Sequence, residues 1–121
     1  MIKDITVNSE KMLQDIFDKA HYEAAKAMDY ALHKWRESNP DQDLYGGYHE
    51  PPYCGFAWVN IEVNGATKLG RMMKKMGIDK RVGNPGNYRG QSMDIREVGA
   101  EKFVEVMRAN NFKAYAYSRA D

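Results

Sequence analysis

Cysteine occurs once in these 121 residues, at position 54. A lone thiol cannot close an internal disulfide, which fits a reducing compartment. It also excludes zinc sites built on paired cysteines. Long apolar runs are missing: no stretch approaches the roughly 20 residues that a membrane-spanning helix needs. The opening Met1-Ile2-Lys3-Asp4 has no apolar signal core. The expectation is therefore a cytoplasmic protein with no membrane partner. Gly83-Asn84-Pro85-Gly86 with Gly90 lacks the lysine–hydroxyl pair of a P-loop, and no helix follows where one is required. That segment reads as a turn. The glycine–aromatic signature of an RNP sheet is absent as well.

What is present describes a folded domain. The 43% hydrophobic and 12% aromatic content supports a genuine core within one domain spanning 1–121. Leu13, Ile16, Phe17, Ala20, Ala24, Ala27, Met28, Ala31 and Trp35 step by three and four, which predicts one long helix within 1–37. Ser9 or Asn8 can cap its start, and Ser38-Asn39-Pro40 stops it. Residues 41–52 read as a loop carrying Tyr45, Tyr48 and His49.

The region 53–121 then alternates strand and helix. "YCGFAWVNIEV" (53–63) is the first strand, rich in aromatic and β-branched residues. A short helix begins near Asn64-Gly65, with Leu69, Met72, Met73 and Met76 inward, and ends at a left-handed Gly77 followed by apolar Ile78. Residues 87–92 are expected as a short second strand. Asp94 with Glu97 suggests a capping box for a third helix, which Asn110-Asn111 ends. Residues 112–118 form the last strand. The fold class is α/β (or α+β), with a long N-terminal helix, then β-α-β-α-β and a small three-stranded sheet.

Alternation sorts the strand faces. Gly55, Ala57, Val59 and Ile61 share one side with Phe112, Ala114 and Ala116; the other side carries Phe56, Trp58, Tyr115 and Tyr117, with Tyr88 a further candidate. Open, those rings beside Lys113, Arg89 and Arg119 could stack nucleobases. Covered, they form a second core layer beneath the long helix. The covered arrangement is expected, because the helix's apolar stripe needs a partner. Leu13, Ile16, Phe17, Ala20, Ala24, Met28 and Trp35 should then pack on the sheet, over Phe56 or Trp58.

Charge is segregated. From Asn64 to Met93 the chain carries Lys68, Arg71, Lys74, Lys75, Lys80, Arg81 and Arg89 against Asp79 alone, a balance of +6 in a protein of net charge +1. Arg71, Lys74, Lys75, Lys80, Arg81 and Arg89 are expected to form one positive surface for an anionic partner. Lysines at a helix C-terminus also have a local role, because they complement its dipole. Gln91, Ser92, Ser118, Arg119 and Asp121 are expected to converge if the late strands pair, making a polar pocket with Tyr115 and Tyr117 nearby.

Cys54 is a weak nucleophile candidate. A catalytic thiol needs a base beside it. His49 is separated from it by two prolines, and His21 and His33 sit on the long helix. Cys54 is expected to be buried in its strand, out of reach of any histidine. No metal site, cofactor or catalytic residue is expected.

"CGFAWV" (54–59), "QSMD" (91–94), a helix bearing Glu97, and "AYAYSRAD" (114–121) resemble a family of small proteins that recur in tailed bacteriophages and prophages. The likeness covers about the last two-thirds of the chain. It implies a phage accessory protein in a bacterial cytoplasm and supplies no mechanism. The expected function is non-catalytic binding of a nucleic acid or nucleotide. An inhibitor of a host defence or transcription protein and a small nucleotide-acting enzyme are the alternatives, and a homo-oligomer is compatible with all three.

Overall fold

The computed structural model describes residues 7–40 and 50–121; the aromatic loop residues Tyr45, Tyr48 and His49 lie outside the described residues. Helix α1 (Glu10–Ser38) is followed by β1 (Gly55–Glu62), α2 (Lys68–Lys75), β2 (Arg81–Val82), a 3-10 turn (Pro85–Asn87), α3 (Met93–Ala109) and β3 (Lys113–Ala120). This is a mixed α/β domain with one antiparallel sheet of order β2-β1-β3.

Helix α1 has 29 residues, so it is roughly 44 Å long at 1.5 Å per residue. Ser9 caps it by accepting a hydrogen bond from the Met12 amide at 3.1 Å. Leu13, Phe17, Ala20, Ala24 and Met28 are its buried stripe; Ile16 and Trp35 are half-buried. Helix α2 starts later than expected, at Lys68, because Thr67 rather than Asn64 caps it and accepts from the Gly70 amide. Gly77 adopts the left-handed conformation (φ 72°), and the Ile78 amide closes back onto the Met73 carbonyl at 2.9 Å. The cap of α3 is Ser92, not Asp94: its hydroxyl accepts from the Ile95 amide, while Asp94 sits in the first turn. Asn111 (φ 67°) turns the chain into β3, as asparagine allows.

The second strand is Arg81–Val82, not 87–92. Residues 85–87 wind into the 3-10 turn, and of 87–92 only Ser92 forms a bridge, to Cys54. Gly86 supplies a positive φ of 77° in that turn, packed tightly on Met28 and the backbone of α1 at Ala24 and Ala25.

Among the described residues the sheet is covered on one side only. Ala57, Val59, Ile61 and Ala114 are buried with Ala100, Phe103, Val104 and Met107 of α3. The stripe of α1 packs mainly against α3 and the 3-10 turn rather than over the aromatic rings. Gly99 lets Met28 approach α3 closely, and Phe17 meets Phe103 and Phe112 edge-on at 6.1 and 6.2 Å. The covered-face expectation is therefore overturned. A stripe of small and medium residues fits the Gly99 groove of α3, and α3 already supplies the apolar surface that α1 needed.

Candidate functional site: the open aromatic face

The register builds the face row by row. Phe56 pairs with Arg119, Trp58 with Tyr117, Asn60 with Tyr115 and Glu62 with Lys113; on the other side Asn60 pairs with Arg81. Successive rows stand two residues apart, roughly 7 Å. Phe56 is 51% exposed, Tyr117 48% and Tyr115 39%, while Trp58 is half-buried among its neighbours. Exposed rings of this size gathered on one face are unusual for a surface without a partner.

Cations hold the rings in place. The Arg81 guanidinium lies 4.9 Å from the Trp58 ring, and Tyr117 stacks beside the indole at 6.0 Å with planes 20° apart. Two arginines of α3 reach round the sheet edges. Arg96 donates to the Gly55 carbonyl at 2.9 Å and the Gly90 carbonyl at 2.8 Å, and its guanidinium lies 5.4 Å from the Phe56 ring. Arg108 donates from Nε to the Ala114 carbonyl at 2.9 Å and lies 5.3 Å from the Tyr115 ring. Among the described residues no carboxylate forms a salt bridge with Arg81, Lys113 or Arg119. Lys113 stands directly across from Glu62 in the register, so Arg81 and Arg119 are the cations of this face with no acid as cross-strand partner.

The remaining candidate residues spread over several places. Arg71 is exposed on α2. Lys75 pairs with Glu10 at 3.0 Å, so its charge stitches α2 to the start of α1. Lys80 lines a cavity of about 530 Å³ with Lys74, Asp79 and Met73. Arg89 lines a different cavity of about 300 Å³ with Asp29, Met28 and Tyr88, against α1. Of the six basic residues expected to make one surface, Arg81 is the one that reaches the aromatic face.

The polar residues gather round the start of β1, from both edges. On one side the Gly55 amide donates to the Gln91 carbonyl at 3.1 Å, and Ser92 bridges Cys54. On the other, Arg119 pairs with Phe56, and the Asp121 amide donates to the Cys54 carbonyl at 3.1 Å. Ser92 is buried by its capping role, and the Ser118 hydroxyl donates to Glu97 Oε2 at 3.1 Å. The "CGFAWV", "QSMD" and "AYAYSRAD" blocks are thus neighbours in space.

Cys54 is exposed, contrary to expectation, because β1 begins only at Gly55 and the thiol lies at its fringe. Its Sγ donates to Gln91 Oε1 at 3.8 Å, a carbonyl that cannot act as a base. His49 lies outside the described residues. His21 Nδ1 accepts from the Gly86 amide at 3.0 Å, and burial pushes its imidazole below the ordinary value, partly offset by Asp18. Beside Gly90, the Tyr88 hydroxyl and the Gln91 amide both donate to the Glu50 carboxylate. Burial pushes the Tyr88 phenol up, and its bond to Glu50 pushes it further. For Glu50, burial raises the carboxyl, but the bonds from Tyr88, Gln91 and Ser92 and the Arg96 charge outweigh it and hold it below the ordinary value. This network places Tyr88 beside Ala25, Met28 and Asp29 of α1, outside the paired rows of β1 and β3. Among the described residues no cluster of His, Cys, Asp or Glu has metal-binding geometry, and no helix is long and apolar enough to cross a membrane.

Sequence reasoning missed Arg96, Arg108 and Asn60. The two arginines look like ordinary helix charges until the register shows which strand edges they wrap. No family model matches the chain, and neither curated proteins nor solved structures give a match.

Proposed function

We propose that the open sheet face binds single-stranded nucleic acid non-catalytically, its bases stacking on Phe56, Trp58, Tyr115 and Tyr117 and its phosphates meeting Arg81, Lys113 and Arg119. The observation that carries this reading is the exposure of these rings on one face, with Arg81 and Arg119 on the same rows and in no salt bridge among the described residues. Stacking tolerates any base, and exposed arginine and lysine follow the backbone. Asn60, between Arg81 and Tyr115, is placed to hydrogen-bond a base edge. The likeness of the three spatially adjacent blocks to tailed-phage proteins supports an accessory role in infected bacterial cytoplasm.

Labelled DNA and RNA oligonucleotides test this by fluorescence anisotropy. Single strands should bind more tightly than the same duplex. Affinity should fall steeply with added salt as counterions are released. Tyr117→Ala should weaken binding roughly 5- to 150-fold, the worth of about 1–3 kcal/mol for one stacked base. Arg81→Gln should flatten the salt dependence. No binding to single strands at low salt would move the reading to an inhibitor gripping a host protein through the same rings.

A further inference from the structure

The outer edge of β3 is a second surface, independent of the aromatic face. The Gly55 and Ile61 amides bond toward Gln91 and Lys80, on the side of β1 away from β3. Their cross-strand partners Ala120 and Ala114, and with them Ala116 and Ser118, therefore turn their backbone groups outward. Arg108 satisfies the Ala114 carbonyl. Among the described residues, nothing bonds the outward backbone groups of Ala116 and Ser118. This edge has no proline, and its residues on the α3 side are small.

Between that edge and α3 runs a groove. One part, about 420 Å³, is lined by Val104, Ala116, Glu101, Glu105 and Arg108; the adjoining part, about 70 Å³, lies among Ala57, Ala100, Glu97 and Ser118. Its floor is apolar and its rim carries carboxylates. Glu105 is paired with Lys102, whereas Glu101 has no ion pair among the described residues. Such a groove suits the aliphatic stem and charged head of an arginine or lysine. A second copy paired through β3 would bring only Ala114, Ala116, Ser118 and Ala120 to this side. It would leave the groove empty and set the two acidic flanks of α3 against each other.

We infer that the β3 edge takes a basic extended peptide segment from a partner protein. The segment adds as a fourth strand to Ala116–Ala120 and lays arginine or lysine side chains along Glu101 and Glu97. Backbone pairing supplies affinity and the acidic groove selects the side chains.

The test uses capped peptides of roughly six residues, a usual strand length, alternating threonine with arginine, and twins with glutamate for arginine. Binding to the full chain is followed by amide hydrogen exchange. The basic peptide should protect the Ala116 and Ser118 amides, and the acidic twin should not. Glu101→Lys should weaken the basic peptide by about tenfold or more and leave the thermal midpoint nearly unchanged. Ser118→Pro removes an outward amide that β1 does not use and should abolish protection. Equal binding of the acidic twin would overturn the inference. So would unchanged affinity in Glu101→Lys, protection elsewhere than the β3 edge, or a concentration-dependent dimer that buries these amides without peptide.

Discussion

Trp58 sits between Arg81 on one neighbouring strand and Tyr117 on the other, so one side chain reports on both halves of the face. Two further residues make testable claims about stability. Phe17 is buried against Phe103 and Phe112. Phe17→Ala should cost about 3–5 kcal/mol, read from the urea midpoint. His21 accepts from the Gly86 amide only while its Nδ1 is unprotonated. Its folded-state pKa lies below the ordinary value near 6.5, so the unfolded chain binds the proton more readily. The full stability is present above that value and declines as pH falls through it toward the folded pKa. Urea midpoints should drop between about pH 7.5 and about pH 5.5, and a His21→Asn variant should lose most of that dependence. Equal slopes in both proteins would contradict the assignment. Single residues were unevenly legible in the sequence. The burial of Phe17 followed from its place in the stripe. The exposure of Cys54 did not, because the strand begins at Gly55 rather than Tyr53 and the face Cys54 shares with Phe56 is left open.

Elements were legible where a repeating pattern spans them. Helix α1, strand β1 and the left-handed ends at Gly77 and Asn111 follow from periodicity and turn chemistry. Strand β2 has two residues, too few for any alternation to show. The destination of α1 was hidden for a different reason. A stripe of alanine, leucine and methionine fits a sheet or a helix equally well, and only the close approach of Met28 to Gly99 decides it. The same helix holds the 3-10 turn, where Gly86 has a positive φ and a Cβ would collide with Met28 and the α1 backbone. Gly86→Ala should therefore destabilise by more than about 1 kcal/mol in thermal or urea unfolding, through strain and crowding together. A neutral substitution would mean that the turn is not clamped to α1.

At the scale of the whole molecule, the face that α1 leaves uncovered becomes its most distinctive surface. The strand alternation had sorted these rings onto one side correctly. Whether that side was open depended on how three layers stack, which no local pattern reports. The charge excess of the 64–93 segment likewise looked like one patch, but folding sends Lys75 to Glu10, Arg89 to the cavity beside α1, and Arg81 to Trp58. The aromatic face instead takes its cations from β2, α3 and β3. The most direct measurement is the tryptophan emission of a Trp35→Phe protein, in which Trp58 is the sole indole, titrated with a single-stranded oligonucleotide at low salt. Stacking of a base against the Trp58–Tyr117 pair predicts saturable quenching that salt reverses and that Tyr117→Ala weakens. An emission spectrum unmoved by saturating oligonucleotide would contradict nucleic-acid binding at this face.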